Sequence, residues 1–299
     1  MGFLRAVDQI EEVWRQTTPI TLSTTPIGVY PKYAGWSVGE GNSQYGVWIA
    51  NSDGTVDYFA REVWDITETI TLPEGARPEY VYDGGQEMFV CDSALGAIYL
   101  VDRDDLTYTT YTDQALDSPA CITWADGGFW AVSQLNGHLA RTNLSDTITT
   151  IDTGYENSGY IAGVPQGPTI HHIIVINSVS DKIQIIKIEA GEMSILATEN
   201  ATIPTPQSLW SKNISHLYHG DSSNNLVLRE SSDLSIISTN AIGMEAKYFY
   251  NTFGFELYFA NDTGRFGVWD MMMEELTHSD GQIDGNCCGI VVTVDTQSS

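Results

Sequence analysis

Basic residues are scarce in this sequence. Its 299 residues include 13 Lys and Arg against 39 Asp and Glu, which gives a formal net charge of -26 and a pI near 4.2. Such a chain repels polyanions, so nucleic acid is excluded as a partner and an anionic membrane is disfavoured. An acidic, lysine-poor surface stays hydrated in concentrated salt, so a halophilic setting is one hypothesis. An ordinary acidic extracellular or virion protein is the other.

Long apolar stretches are also absent. No run of about 18 apolar residues occurs, so we predict a soluble chain without membrane insertion. Residues 1–16 lack the apolar stretch of a secretory signal. Hydrophobic residues make up 42% and aromatic residues 11% of the chain, which is the composition of a folded globular protein rather than a disordered one.

Motifs for catalysis are missing too. There is no GxSxG elbow and no HExxH motif, which favours a non-enzymatic protein. His171 and His172 are adjacent, so in a strand they point to opposite faces and cannot readily share a metal ion. The four cysteines are Cys91, Cys121, Cys287 and Cys288. They have no CxxC spacing and are predicted to be mostly buried thiols.

The sequence does contain a repeat. Six segments share a pattern of an apolar pair, an aromatic residue, a small residue and a polar turn. The polar residue that ends each segment recurs after 41, 41, 44, 44 and 40 residues: Asn51, Asp92, Ser133, Asn177, Asp221 and Asn261. Both faces of each segment are largely apolar, so each strand is predicted to be covered on both sides. Trp130 is predicted to lie between two such units.

Each unit also contains further strands. A short apolar strand precedes the segment, another strand follows its turn, and in five of the six units a Thr- or Ile-rich strand comes next. Repeated units of four antiparallel strands resemble the blades of a β-propeller. No named repeat signature, such as that of WD40 or kelch repeats, is matched.

The resemblance implies an all-β, six-bladed β-propeller within residues 18–299, with a seventh incomplete blade as the alternative. Residues 287–295 are predicted to form a closing strand that removes a free sheet edge. Residues 1–17 are predicted to form an amphipathic helix that either buttresses the ring or docks on a partner. The predicted blades are 35–78, 79–119, 120–159, 160–206, 207–246 and 247–286.

Three carboxylates occur in turns between the first and second strands of the units. Glu40, Asp83 and Asp126 should share one end of the propeller near its axis. Oxygen ligands of this kind suit Ca²⁺ or Mg²⁺, so a divalent cation site is one interpretation. Asp-Gly is also a favoured hairpin dipeptide, so turn chemistry with solvated carboxylates is the other. No further cofactor is predicted.

An ordered scaffold without a catalytic constellation predicts an interaction or attachment module. The Thr-rich strands, acidic surface and leading helix resemble structural proteins of tailed viruses and phages. The resemblance implies a virion or tail protein of a phage or archaeal virus, bound to other subunits of an oligomer and to a host receptor or glycan. Tyr30, Tyr33 and Tyr155, placed in connections between blades, are the predicted contact residues.

Two other functions and another location stay open. A divalent-metal-dependent hydrolase of the lactonase kind would need several ligands to converge at the propeller axis. A lectin-like, sugar-binding propeller would use the same scaffold without chemistry. An extracellular or cytoplasmic location is the alternative to the virion.

Overall fold

The regular secondary structure of the described residues is almost entirely β-strand. Its helical structure is one 3-10 turn at Gln114–Leu116, and none of the helices within it has the length and apolar character to cross a bilayer. The computed structural model describes residues 31–37, 46–51, 53–60, 65–83, 87–143, 147–156, 158–165, 170–177, 179–201, 209–211, 215–246, 248–251, 256–260, 265–271, 273 and 275–282.

These residues form six four-stranded antiparallel sheets, each built from four strands that are consecutive in the chain. We number the sheets as blades 1 to 6. In chain order the strands are β1 (Pro31–Ser37), β2 (Gly46–Asn51), β3 (Thr55–Ala60), β4 (Asp65–Thr71); β5 (Pro78–Asp83), β6 (Glu87–Asp92), β7 (Ala97–Asp102), β8 (Tyr108–Thr112); β9 (Pro119–Ala125), β10 (Gly128–Ser133), β11 (His138–Thr142), β12 (Thr147–Asp152); β13 (Ser158–Pro165), β14 (Ile170–Asn177), β15 (Lys182–Glu189), β16 (Glu192–Asn200); β17 (Leu209–Ser211), β18 (His216–Gly220), β19 (Asn225–Glu230), β20 (Ile236–Ala241); β21 (Tyr248–Asn251), β22 (Glu256–Ala260), β23 (Arg265–Asp270) and β24 (Glu275–Gln282).

The blades are arranged side by side through their first strands. Strand β1 contacts β5, which contacts β9, and the series continues through β13 and β17 to β21. The first strands are therefore innermost and the sheets extend outward from them, which is the arrangement of a β-propeller. The prediction of an all-β propeller with four-stranded blades is confirmed. The predicted helix at 1–17 and closing strand at 287–295 lie outside the described residues.

In four blades the second strand ends on the polar residue that the repeat predicts. Strand β18 ends one residue before Asp221, and Asn261 lies outside the described residues. Every side chain from Met88 to Asp92 in β6 is buried, because a neighbouring blade covers each face of the sheet. The other second strands end on the polar residues themselves: Asn51, Asp92, Ser133 and Asn177.

The junction between blades 3 and 4 contains the largest buried side chain of β10. Trp130 is 1% exposed and shares a buried cluster with Ile161 and Ile173 of blade 4. Its Nε1 donates a hydrogen bond to the carbonyl oxygen of Ala125 over 2.9 Å. The indole therefore fills an apolar junction while its one polar atom is satisfied.

Candidate interaction surface

One end of the propeller gathers two kinds of segment. Because the strands of a blade alternate in direction, the turn between its second and third strands lies at the same end as the connection from the preceding blade. We name this the tip end. The opposite end holds the turns between first and second strands, including the one that contains Asp126.

At the tip end of blades 2 and 4, the polar residue that ends the second strand ties a turn to a connection. Asp92 Oδ1 accepts hydrogen bonds from the backbone nitrogens of Ala94 (2.9 Å) and Arg77 (3.1 Å). Its Oδ2 accepts one from the Tyr99 hydroxyl at 3.1 Å. Burial, followed by the charge of Asp92, raises the pKa of Tyr99, so that hydroxyl remains a donor. In blade 4, Asn177 Oδ1 accepts from the Ser180 nitrogen at 2.8 Å.

The connections also join one turn to the next. Ser118 Oγ donates to the carbonyl of Ser93 in the blade 2 turn over 3.0 Å. The carbonyl of Ser118 accepts from the Gln134 nitrogen in the blade 3 turn at 2.8 Å. Between blades 3 and 4, Thr153 Oγ1 donates to the Gly137 carbonyl over 2.7 Å. The Glu156 carbonyl of the same connection accepts a hydrogen bond from Asn177 Nδ2, so the turns of blades 2, 3 and 4 form one hydrogen-bonded arc.

Gly137 is required where this arc is tightest. Its φ is +68°, and a Cβ at this position would lie 2.4 Å from the carbonyl oxygen of Tyr155. Any other residue would be strained by its backbone conformation and would overlap that oxygen. The connection at Tyr155 can therefore approach the blade 3 turn closely.

Exposed aliphatic side chains occupy the tips of the same three turns. Leu95 is 43% exposed, Leu135 62% and Val179 73%. We name these three residues the tip surface. We interpret these large exposed apolar groups, one on each of three adjacent blades at the same end, as a candidate protein interaction site. Since the turn backbones are fixed by the hydrogen bonds above, these side chains are presented on a preorganised frame.

The tip surface is not predicted from the repeat, although the sequence contains a signal for it. Each of the turns DSALG, SQLNG and NSVSD contains one large aliphatic residue among polar or small ones. Turn chemistry explains Asn, Asp, Ser and Gly but not Leu or Val at these positions. One large aliphatic residue in each of three consecutive turns, two or three residues after the polar residue that ends the second strand, is the pattern that indicates this surface.

The predicted contact tyrosines are distributed differently from one another. Tyr155 is half-buried in the connection between β12 and β13, within the arc between Leu135 and Val179. Tyr33 lies inside β1, paired with Ala50, rather than in a connection, because β1 already begins at Pro31. Tyr30 lies outside the described residues. A contact role for the three tyrosines stays a prediction.

The predicted carboxylates Asp83 and Asp126 do not occupy equivalent places in their blades. Asp83 pairs with Met88, and the corresponding pair in blade 3 is Trp124 with Phe129. Asp126 lies two residues beyond that pair, in the turn, with a φ of 47°. Glu40 lies outside the described residues. Among the described residues no three His, Cys, Asp or Glu side chains are grouped to hold a metal ion, and the cation site stays a prediction.

Asp126 instead contacts blade 4. Its Oδ1 lies 3.7 Å from Nε2 of His171, and its carbonyl oxygen accepts a hydrogen bond from Arg141 Nη2 at 3.1 Å. The side chain of His172 lies on the opposite face of the sheet, toward blade 5, where its Nδ1 is 3.0 Å from the carbonyl oxygen of Ser231. The two adjacent histidines thus serve different blade junctions, as their alternation in a strand predicts.

A second buried histidine is held by an arginine inside blade 5. His219 is 1% exposed, with Nδ1 2.7 Å from the Gly220 carbonyl and Nε2 2.9 Å from Nε of Arg229. A neutral ring with its proton on Nδ1 satisfies both contacts, since the arginine can only donate. Burial, and the charge of Arg229, lower the pKa of His219 to about 4.

This histidine should make the protein sensitive to mild acid. The unfolded chain binds the proton near pH 6.5 and the folded chain only near pH 4, so stability is lost as pH falls between these values. At about 1.4 kcal/mol per pKa unit, the loss should reach about 2–3 kcal/mol near pH 4.5. Urea unfolding at pH 7 and pH 4.5 measures this loss of stability.

The control variant is His219→Gln, which keeps an acceptor for Arg229 but does not titrate. It should lose less stability than the wild type between pH 7 and pH 4.5. Equal losses in both proteins would contradict the assignment to His219.

The described cysteines are not activated nucleophiles. Cys91 and Cys121 are free and buried, as predicted, while Cys287 and Cys288 lie outside the described residues. Burial raises the pKa of both thiols, that of Cys121 to about 12. A reactive cysteine needs a lowered pKa to supply thiolate, so these two groups are structural.

Comparisons with known proteins identify the fold and no family. No family model matches the chain, and no curated protein matches it. The WD40 domain of Pan2 from Neurospora crassa is similar in structure, with a TM-score of 0.70, 10% identity, and 88% of this chain and 83% of that chain covered. A chain of the mitotic checkpoint complex gives a TM-score of 0.68 at 12% identity, with 91% and 87% covered.

A protein of Bacteroides fragilis proposed to be a 6-phosphogluconolactonase is similar as well. Its TM-score is 0.65 at 14% identity, and the match covers 89% of this chain and 88% of that one. These structures differ in function, and their identities to this chain are low. Together they show that the chain has a β-propeller fold, and the fold by itself assigns no activity.

Proposed function

We propose that this protein is a non-enzymatic interaction propeller that binds another protein through the tip surface. The observation that supports the proposal is the exposure of Leu95, Leu135 and Val179 on one hydrogen-bonded arc of three neighbouring blades. Burying exposed aliphatic groups against a partner is favourable at about 25 cal/mol per Å² of apolar area. The rigid turns reduce the entropy lost on binding.

The setting we propose is a virion, where the propeller is a structural or host-attachment subunit of a tailed phage or an archaeal virus. The acidic composition and the Thr-rich strands support this setting, as does the interaction surface. The same surface would serve an oligomer with other subunits of a particle. Mass spectrometry of particles purified from the producing culture tests the setting directly, and absence of the protein from the particles would contradict it.

Replacing the aliphatic groups of the tip surface tests the interaction itself. The double variant Leu135→Ser/Val179→Ser should lose the protein partners that the wild type retains in affinity capture from its native source. Its stability should change by less than about 0.5 kcal/mol for each substitution, because the replaced side chains are exposed. Urea unfolding checks that condition.

A matched control separates this surface from general surface hydrophobicity. Ile236 and Ile237 on the outer strand β20 are 57% and 45% exposed, similar to the residues of the tip surface. The variant Ile236→Ser/Ile237→Ser should therefore retain the wild-type partners. Equal capture by the tip variant and the wild type would overturn the proposed function.

A further inference from the structure

We propose that the partner segment that binds the tip surface is basic, with Lys or Arg side chains that alternate with apolar anchors. This inference deepens the proposed function and rests on it. It adds the chemical class of the partner: a cationic, amphipathic protein segment. Two acidic residues lie between the aliphatic residues along the arc, and the surrounding segments carry mostly negative charge.

Carboxylates alternate with the aliphatic residues along the arc. Asp117 lies beside the turn of Leu95, since a Cβ on Gly96 would be 2.6 Å from the Asp117 carbonyl oxygen. Its neighbour Ser118 bonds the turn that contains Leu135. The arc therefore places the backbone of an exposed acidic residue, Asp117, between the turns of the first two aliphatic residues.

Glu156 repeats this arrangement between the second and third aliphatic groups. A Cβ on Gly137, in the Leu135 turn, would lie 3.3 Å from the Glu156 nitrogen. The Glu156 carbonyl accepts a hydrogen bond from Nδ2 of Asn177, two residues before Val179. The order of residues along the arc is thus aliphatic, acidic, aliphatic, acidic, aliphatic, and both acidic residues are exposed.

The surrounding charge is predominantly negative. The connections 72–77, 113–118 and 152–156 and the turns 93–96, 134–137 and 179–181 contain six carboxylates and one cation, Arg77, and Lys182 follows the last turn directly. The whole chain has a net charge of -26. A second copy of this chain would therefore be repelled, whereas a basic segment would be attracted and held in register. The six carboxylates are Glu74, Asp113, Asp117, Asp152, Glu156 and Asp181.

The experiment uses the full-length protein and two short synthetic amphipathic peptides with the same leucine pattern. One peptide has lysines on its polar face and the other has glutamates. We expect the lysine peptide to bind in a titration followed by fluorescence anisotropy, with an affinity that falls as salt is added. The glutamate peptide should not bind. Equal binding of both peptides would overturn the inference.

Charge neutralisation then locates the site. Asp117→Asn/Glu156→Gln should weaken the lysine peptide several-fold and flatten its salt dependence. The control Asp104→Asn/Glu192→Gln removes the same net charge from exposed residues at the opposite end of the propeller. It should bind as the wild type does. If both variants weaken binding equally, the attraction is general to the acidic protein and the inference is wrong.

The two proposals fail in different ways. If Leu135→Ser/Val179→Ser loses the lysine peptide while Asp117→Asn/Glu156→Gln binds it unchanged, the surface is an interaction site but its partner is not selected by charge. If Leu135→Ser/Val179→Ser binds the peptide as the wild type does, the tip surface is not the docking site, and both proposals fall. Circular dichroism of each variant confirms that the propeller is folded.

Discussion

Trp130→Ala should destabilise the protein by about 3–5 kcal/mol, because it removes a large buried side chain and leaves a cavity. The indole is 1% exposed at the junction of blades 3 and 4, where strand β10 contacts β13. The substitution also leaves the Ala125 carbonyl without its 2.9 Å hydrogen bond. Equilibrium unfolding in urea, followed by circular dichroism, measures the loss. A loss below about 1 kcal/mol would show that the junction is not closely packed.

Trp124→Ala is the matched control for that measurement. Trp124 is 49% exposed and lies on the neighbouring strand β9, where its ring is 4.6 Å from that of Phe129. The same change of side chain there should cost about 1 kcal/mol, since much of the indole remains in water in the folded state. The difference between the two variants isolates the contribution of burial between blades.

Arg229→Met should cost about 3 kcal/mol or more, although methionine fills a similar volume. The guanidinium donates to Nε2 of His219 (2.9 Å), to the carbonyl of Leu234 (2.6 Å) and to the carbonyl of Asn200 (3.2 Å). Methionine has no donor, so buried acceptors would be left unsatisfied, at about 1–3 kcal/mol each. The Asn200 contact reaches back to blade 4, so the loss includes a link between blades. Thermal and urea unfolding give the magnitude.

Arg229→Lys distinguishes the geometry of this group from its charge. Lysine keeps the positive charge but presents its donors from one nitrogen, whereas the planar guanidinium reaches three separate acceptors. The variant should therefore lie between the wild type and Arg229→Met in stability. If the Arg229→Lys variant is as stable as the wild type, the positive charge alone accounts for the stabilisation and the three directed hydrogen bonds do not.

The repeat made most of the fold predictable. A second strand covered on both faces must be apolar on both faces, so its sequence pattern is strong and recurs at each blade. Strand β24 (Glu275–Gln282) was not predicted, because ELTHSDGQ has neither an apolar run nor an alternating pattern. It forms because β23 offers it a free edge with which to pair. Outer strands contribute least to the core, so their sequences are constrained least.

The candidate surface was harder to predict than the fold. The exposure of Leu135 depends on how the Ser118 connection and the Thr153 connection hold its turn, and these contacts join residues that are distant in sequence. A local pattern cannot show which side of a turn faces solvent. The inequivalence of Asp83 and Asp126 has the same origin, because it arises from strand register rather than from the shared Asp-Gly dipeptide.

The anchoring of the turns has a consequence for evolution and engineering. The bonds that fix the arc involve Asp92, Asn177 and the connections, and none of them uses the side chain of a tip residue. Under the proposed function, recognition and folding are thus encoded at separate positions of the same turn. Mutation at Leu95, Leu135 and Val179 can change which molecule is bound while the blades persist. The arc is therefore a natural site for a randomised library, in which new binding specificities are selected without redesign of the scaffold.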